Sequence, residues 1–374
     1  MSSLVFFVIF SVLLISTYLI LIYITNNYMN YKVLCGVGIL FIAVVSILAY
    51  YTVPLSDDDL YRYYGEINRM REYGWHYIIN DSTYKINIIS NMLLYIVSLT
   101  KNNSMLPYIT LLIDILCVEY IIKQEIKKNN ISPRVLVWNI FIYLGICALY
   151  VSISGIRFML GVSLAAVIVY KDKIEKKNYI ELMYIILPFI HTSLIVVFVY
   201  KLLTKRIKKI YKYTYIIMFW PIVMPLILKI ISLFPFNIFK SVEEKIIMYS
   251  TYNSLEGSQI RMLGYVIFSI ALIFMLETIN ASMKKNKDNE IKEYFHFTRT
   301  LFYIILGSLL VVPSTYFRFL SIIVILLIPL WKIFFNIKDN IKKASVLGLY
   351  ISSISIFYIY QYLLYIRTWQ IKIF

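Results

Sequence analysis

Ser154-Gly155-Ile156-Arg157-Phe158-Met159 opens an apolar run that ends near Tyr170. A second run then climbs to Leu187-Pro188-Phe189-Ile190-His191-Thr192-Ser193-Leu194. Lys171, Lys173, Lys176 and Lys177 lie in the short basic loop between them. Apolar runs bounded by lysines read as helices that enter a bilayer and return to its cytoplasmic face. An arginine at the mouth of one helix and a histidine within the next are costly in lipid. Ionisable groups at such depth face a bundle interior or a wet cavity, and by default they mark a functional site.

Outward from this stretch the chain repeats the pattern. Of its 374 residues 60% are hydrophobic and 15% charged, and the mean hydropathy is +0.75, more apolar surface than a soluble domain needs. The runs do not alternate polar with apolar residues, which excludes a transmembrane β-barrel. The composition therefore predicts an all-α, polytopic integral membrane protein of roughly 10–13 transmembrane or half-spanning helices. It reads as a single domain over residues 1–374, with extracytoplasmic loops near 52–85 and 235–261. The net charge of +17 sits in short loops between apolar runs, so it reflects orientation in a membrane. No nucleic-acid module accompanies it. Cys35, Cys117 and Cys147 all lie in apolar segments without pairing or metal spacing and read as small buried hydrophobes.

Residues 4–24 and 33–51 read as the first two helices, the former a retained span because it lacks a basic n-region and a cleavage site. The polar stretch that begins at Ser56-Asp57-Asp58-Asp59 and continues to Tyr84 suits an external, interfacial loop. Residues 86–99 are short for a span and read as a half-helix. The patches at 171–177 and 201–212 are both basic, yet only one apolar run separates them. Either residues 179–203 form a hairpin broken at Pro188 with His191 near its tip, or one patch is on the wrong side. A turn at Pro313-Ser314-Thr315-Tyr316-Phe317-Arg318 is placed outside, and 319–335 returns.

On this topology Asp57, Asp58, Arg157, His191 and Arg318 gather on the extracytoplasmic side. Arginine presents a planar fork that binds phosphate oxygens in pairs and keeps its charge when desolvated. Two arginines at an interface therefore suit an anion such as a lipid-linked pyrophosphate, although a snorkelling arginine at a helix end looks the same. Histidine titrates near neutrality and can take a proton from an attacking hydroxyl. His191 could equally satisfy backbone opened by Pro188. Asp114 and Glu119 read as structural, pair-forming charges, and His76 and His296 fall in polar loops. No glycine-rich nucleotide loop, P-loop or HExxH is present, which argues against a nucleotide-driven pump or an intramembrane metalloprotease.

The order Ser154-Gly155-Ile156-Arg157-Phe158, lysine loop, His191-Thr192-Ser193 resembles the EpsG family of Wzy-like polysaccharide polymerases. The acidic, tyrosine-rich stretch with Asp58, Tyr61 and Tyr64 and the late Tyr316-Phe317-Arg318 resemble it too. Phe158 stands where the family usually has Gln. The resemblance implies a GT-C/Wzy-like fold in the bacterial cytoplasmic membrane. It also implies transfer of a growing undecaprenyl-pyrophosphate-linked glycan onto another lipid-linked repeat unit at the outer face, without metal or cofactor. Arg157 and Arg318 would then clamp the pyrophosphate, His191 or Asp58 would accept the hydroxyl proton, and Asp57, Tyr61 and Ser193 would contact substrate. A flippase and a chain-length regulator would be partners, and the product capsule, exopolysaccharide or O-antigen. Two alternatives stay open: a GT-C transferase using a polyprenyl-phosphate sugar, with Asp57 to Asp59 as its acidic motif, and a lipid-linked oligosaccharide flippase or exporter.

Overall fold

In the computed structural model the helix that Arg157 opens stands at the centre of the molecule. The structure describes residues 46–47, 49–56, 58–80, 87–128, 135–136, 138–139, 149–177, 179–207, 209–223, 259–284, 288–309 and 313–371, with positions 12, 16 and 143. The elements in order are β1 (Thr52–Pro54), α1 (Asp59–Tyr73), α2 (Trp75–Asn80), α3 (Ile88–Leu99), α4 (Met105–Lys127), α5 (Leu149–Ser154), α6 (Ile156–Lys173), α7 (Ile180–Ile190) and α8 (Ile195–Arg206). They continue with α9 (Thr214–Met218), α10 (Gln259–Met283), α11 (Asn289–Ser308), α12 (Pro313–Leu326), α13 (Trp331–Phe335), α14 (Asn340–Thr368) and β2 (Trp369–Ile371). The all-α expectation holds apart from one short ribbon, in which β1 pairs antiparallel with β2, Thr52 opposite Ile371.

Between Ile156 and Tyr170 every α6 residue except Leu164 and Val167 is buried, and α4, α5, α7, α11 and α12 all pack on it. Lipid gives helices little hydrophobic reason to associate, so close packing over small residues has to supply it. Gly161, Ser163, Ala165 and Ala166 provide those small positions. A Cβ at residue 161 would collide with the buried Leu194 side chain, so glycine lets the 190s lie directly against α6.

The 190s are the tip of a hairpin. α7 runs through Pro188 in its last turn and stops at His191, whose extended backbone (φ −150°, ψ 123°) turns the chain into a 3₁₀ turn, Thr192–Leu194, and then α8. At the base, Lys205 Nζ meets Glu181 at 2.5 Å and Lys201 Nζ meets Asp172 at the end of α6 at 2.7 Å. A straight helix would hold Glu181 and Lys205, 24 residues apart, roughly 36 Å from each other. The hairpin reading is therefore the correct one, with its break at His191 instead of Pro188. Burial alone would raise the Asp172 carboxyl, but Lys173 and Lys201 outweigh it and hold it below the usual carboxylate range. The outer face of the hairpin exposes Leu182, Ile185, Ile186, Phe189, Ile195, Val199 and Leu202. A contiguous apolar face of this size needs lipid or protein to cover it.

Among the described residues two helices are long and apolar enough to cross a membrane, Met105–Lys127 and Met262–Met283. The pair Arg318–Leu326 and Ile328–Phe335, bent by 43°, makes a third when taken as one span. Most of the expected spans at 4–24 and 33–51 and most of the loop at 235–261 lie outside the described residues.

Several stretches read as loops are helical. Asp58 caps α1, its Oδ1 accepting from the Leu60 N–H at 2.8 Å, and Gly74 at φ +65° ends it in the left-handed conformation that glycine tolerates. Asp288 caps α11 in the same way, so the charged segment continues directly into a helix, where His296 stacks on Tyr211 at 4.1 Å. Residues 313–318 form the first turns of α12, with proline at a position where its missing N–H costs nothing.

Buried side chains form two apolar cores. The smaller joins α1, α3 and the first half of α4 and includes Ile153 and Ile156; the larger includes Phe158 and Met159 with α7, α8 and α10 to α14. Arg157 is the residue between them.

Candidate functional site

Gly155 interrupts the chain between α5 and α6, and this break sets the geometry around Arg157. Just before it, the Ser154 hydroxyl donates to Asp58 Oδ1 at 2.5 Å, fastening the start of α6 to the start of α1. Just after it, the Arg157 guanidinium lies over the Tyr63 ring of α1 at 4.8 Å. Arg157 is only 2% exposed, so its charge is held inside the seam between the two cores and does not snorkel to the surface. An aromatic face attracts a desolvated cation and helps it keep its charge inside the seam.

The next residue carries the site across to the other elements. Phe158 meets the His191 ring edge-on at 5.3 Å and the Phe319 ring at 5.2 Å. His191 Nδ1 lies 2.6 Å from Ser193 Oγ, and the Ser193 N–H reaches the same nitrogen at 3.4 Å. Thr192, between them, donates its N–H (3.1 Å) and its hydroxyl (2.9 Å) to Asn87 Oδ1 at the start of α3. Arg318, next to Phe319 on α12, is half-buried.

Arg157, His191, Ser193, Asp58 and the Arg318 turn of α12 are thus linked through Phe158, Phe319, Tyr63 and Ser154. Tyr61 is not brought in: two positions from Tyr63 on α1, it points away and is exposed. Asp57 lies outside the described residues. Asp58 is buried, and its Oδ1 accepts from both the Leu60 N–H and the Ser154 hydroxyl, so it ties α1 to the start of α6. Beside it, burial pushes the Tyr64 phenol up to about 12, opposed by the nearby Ser104 side chain and helped by the Asp58 charge, so Tyr64 keeps its proton at neutral pH.

Asn87, Ser154, Tyr63 and Phe158 are site residues to which the sequence analysis gave no role. Ser154 and Phe158 carried a signal as members of the stretch around Arg157, and Phe158 also as the position where the family pattern departs. Asp114, expected to find a charged partner, faces the buried Ser163 hydroxyl on α6 instead; Glu119 has Lys123 one turn on. Among the described residues no three His, Cys, Asp or Glu side chains gather closely enough to hold a metal. The apolar helices and exposed apolar faces are those of a membrane protein.

No curated protein and no solved structure matches the chain significantly. The EpsG family model matches residues 37–371, a span that holds every described site residue, and the chain therefore belongs to the EpsG family.

Proposed function

We propose that this protein is a Wzy-like polysaccharide polymerase of the bacterial cytoplasmic membrane. It joins an undecaprenyl-pyrophosphate-linked glycan to the sugar of a second lipid-linked repeat unit at the outer face. The observation that carries this reading is the buried Arg157 on Tyr63, one residue from a phenylalanine that touches the His191 ring. Family membership supports the class of reaction.

In the reaction the acceptor hydroxyl oxygen attacks the anomeric carbon as the bond from that carbon to the pyrophosphate oxygen breaks. Negative charge grows on the leaving pyrophosphate, and donors fixed in advance in a dry seam stabilise it most. Arg157 is the fixed donor, and Arg318 closes on the same group from α12. The hydroxyl proton goes to His191. In the tautomer that carries its proton on Nδ1, that N–H donates to Ser193 Oγ at 2.6 Å and the longer contact from the Ser193 N–H is given up, so Nε2 takes the proton and the resulting imidazolium keeps its orienting bond. Ser193 is then an orienting group, and Asp58 holds α1 to α6. The chain would be multi-pass with about ten to thirteen helices, its site facing outward. A flippase that delivers repeat units and a chain-length regulator would be its partners.

The test is a gel of lipid-linked glycan from cells carrying wild type, Arg157→Ala or His191→Ala at equal protein levels. A ladder collapsing to a single repeat exposed outside is the expected result. Accumulation of that repeat on the cytoplasmic side would make the protein a transporter, and an unchanged ladder would remove both residues from the site.

A further inference from the structure

Asn87 occupies the N-cap position of α3, where an asparagine side chain ordinarily accepts from the first free backbone N–H groups of its own helix. Here it makes no such bond. The residue is 4% exposed, and its Oδ1 is turned onto Thr192, taking both the N–H and the hydroxyl. Its backbone is fixed independently, because Asn87 O accepts from the Ser90 hydroxyl and the Asn91 N–H, both at 3.0 Å. A rigid first turn of one helix therefore grips the hairpin tip at the residue between His191 and Ser193. Ser193 Oγ in turn holds Nδ1, and Phe158 bounds the ring edge-on.

We propose that Asn87 is a positioning residue for His191, fixing the imidazole through Thr192 and Ser193 so that Nε2 faces the reacting hydroxyl. The role in turnover rests on the polymerase reading; the effect on the ring does not. Catalytic groups held by hydrogen bonds at one remove lose efficiency steeply when the support goes, because a displacement of about 1 Å can cost on the order of 100-fold in rate.

The experiment compares full-length wild type, Asn87→Leu and Asn87→Asp in detergent, with two readouts. Aspartate keeps an oxygen for both Thr192 donors, and leucine removes it on a side chain of the same branching and heavy-atom count. The first readout is the ¹⁵N spectrum of histidine-labelled protein. The chain has three histidines, and His191→Gln identifies the signal to follow. The second is polymerisation of purified lipid-linked repeat units. The expected result is that Asn87→Leu shifts or broadens the His191 ring signals and leaves His76 and His296 in place. In the same variant kcat falls on the order of 100-fold with KM little changed, and Asn87→Asp restores both. A His191 signal unmoved by Asn87→Leu, or moved equally by Asn87→Asp, overturns the proposal whatever the activity. If the ring signals respond as expected while wild type makes no polymer, the positioning role stands and the polymerase reading falls.

Discussion

Arg157 and Tyr63 illustrate how the seam handles a buried charge. A guanidinium set over a ring keeps its charge at modest desolvation cost, and its planar fork offers paired donors that an ammonium cannot. Arg157→Lys is therefore expected to lower polymerisation nearly as far as Arg157→Ala, and Tyr63→Phe, which keeps the ring, to cost far less than Tyr63→Leu. Lipid-linked ladder length at matched expression measures both; a fully active Arg157→Lys would mean that only charge matters there. The ionisable residues were legible because lipid makes them costly, so Arg157 and His191 stand out from any apolar run. Asn87 was not, since an asparagine before an apolar helix reads as an ordinary cap and its partner lies 105 residues away. The role of Ser154 was hidden similarly: its bond to Asp58 depends on packing that no local spacing encodes.

The α7–α8 hairpin turns a puzzle of charge placement into a testable element. An 11-residue helix rises roughly 16 Å, about half of a hydrocarbon core, so the tip is placed at depth and both basic ends remain on one side. Single cysteines at Lys177 and Lys209, in a background with Cys35, Cys117 and Cys147 replaced, should both label from the cytoplasmic side of sealed vesicles. Labelling from opposite sides would turn the hairpin back into a span. The base of the element also predicts an acid response. The Asp172 carboxyl is held below its ordinary value, which is about 3.9 in an unfolded chain. Its contribution is therefore fully present above about pH 4 and is lost as pH falls through the lower folded value. Protease cutting within 195–206 should rise below pH 4 in wild type, whereas Asp172→Asn should be cut at neutral pH already, with a weaker acid dependence. Lys201→Met leaves Asp172 with Lys173 alone and should destabilise by less than the roughly 3 kcal/mol that stripping a buried charge of its last partner costs. The charge rule and Pro188 together pointed to this element. They left the break three residues early, because proline is accommodated in a last turn and only His191 takes extended backbone. The turns expected at 313–318 and after Asp58 were misread because tyrosine-rich polar sequence fits an interfacial helix as well as a loop.

At the scale of the whole molecule, the two apolar cores adjoin along α4 and at Arg157 of the central helix, and ligand sites favour such junctions between packed units. A sequence shows which runs are apolar but not which of them share a core, so the all-α architecture was legible and the seam was not. The β1–β2 ribbon is the feature with the widest reach. Thr52 pairs with Ile371, and β1 leads within a few residues to Asp58 and the fastening of α1 to α6. Chains insert and fold from the N-terminus as they are made. The strand next to Asp58 therefore waits for nearly all of the later helices before it finds its partner. The ribbon works as a clasp that ties the α1 end of the seam to a part of the chain made long after it. Removing the chain from Trp369 onward should leave every described site side chain in the sequence. It should still release α1, shortening the polymer ladder and exposing 52–58 to protease; a truncated protein with normal ladders and protection would show that the clasp is ornamental.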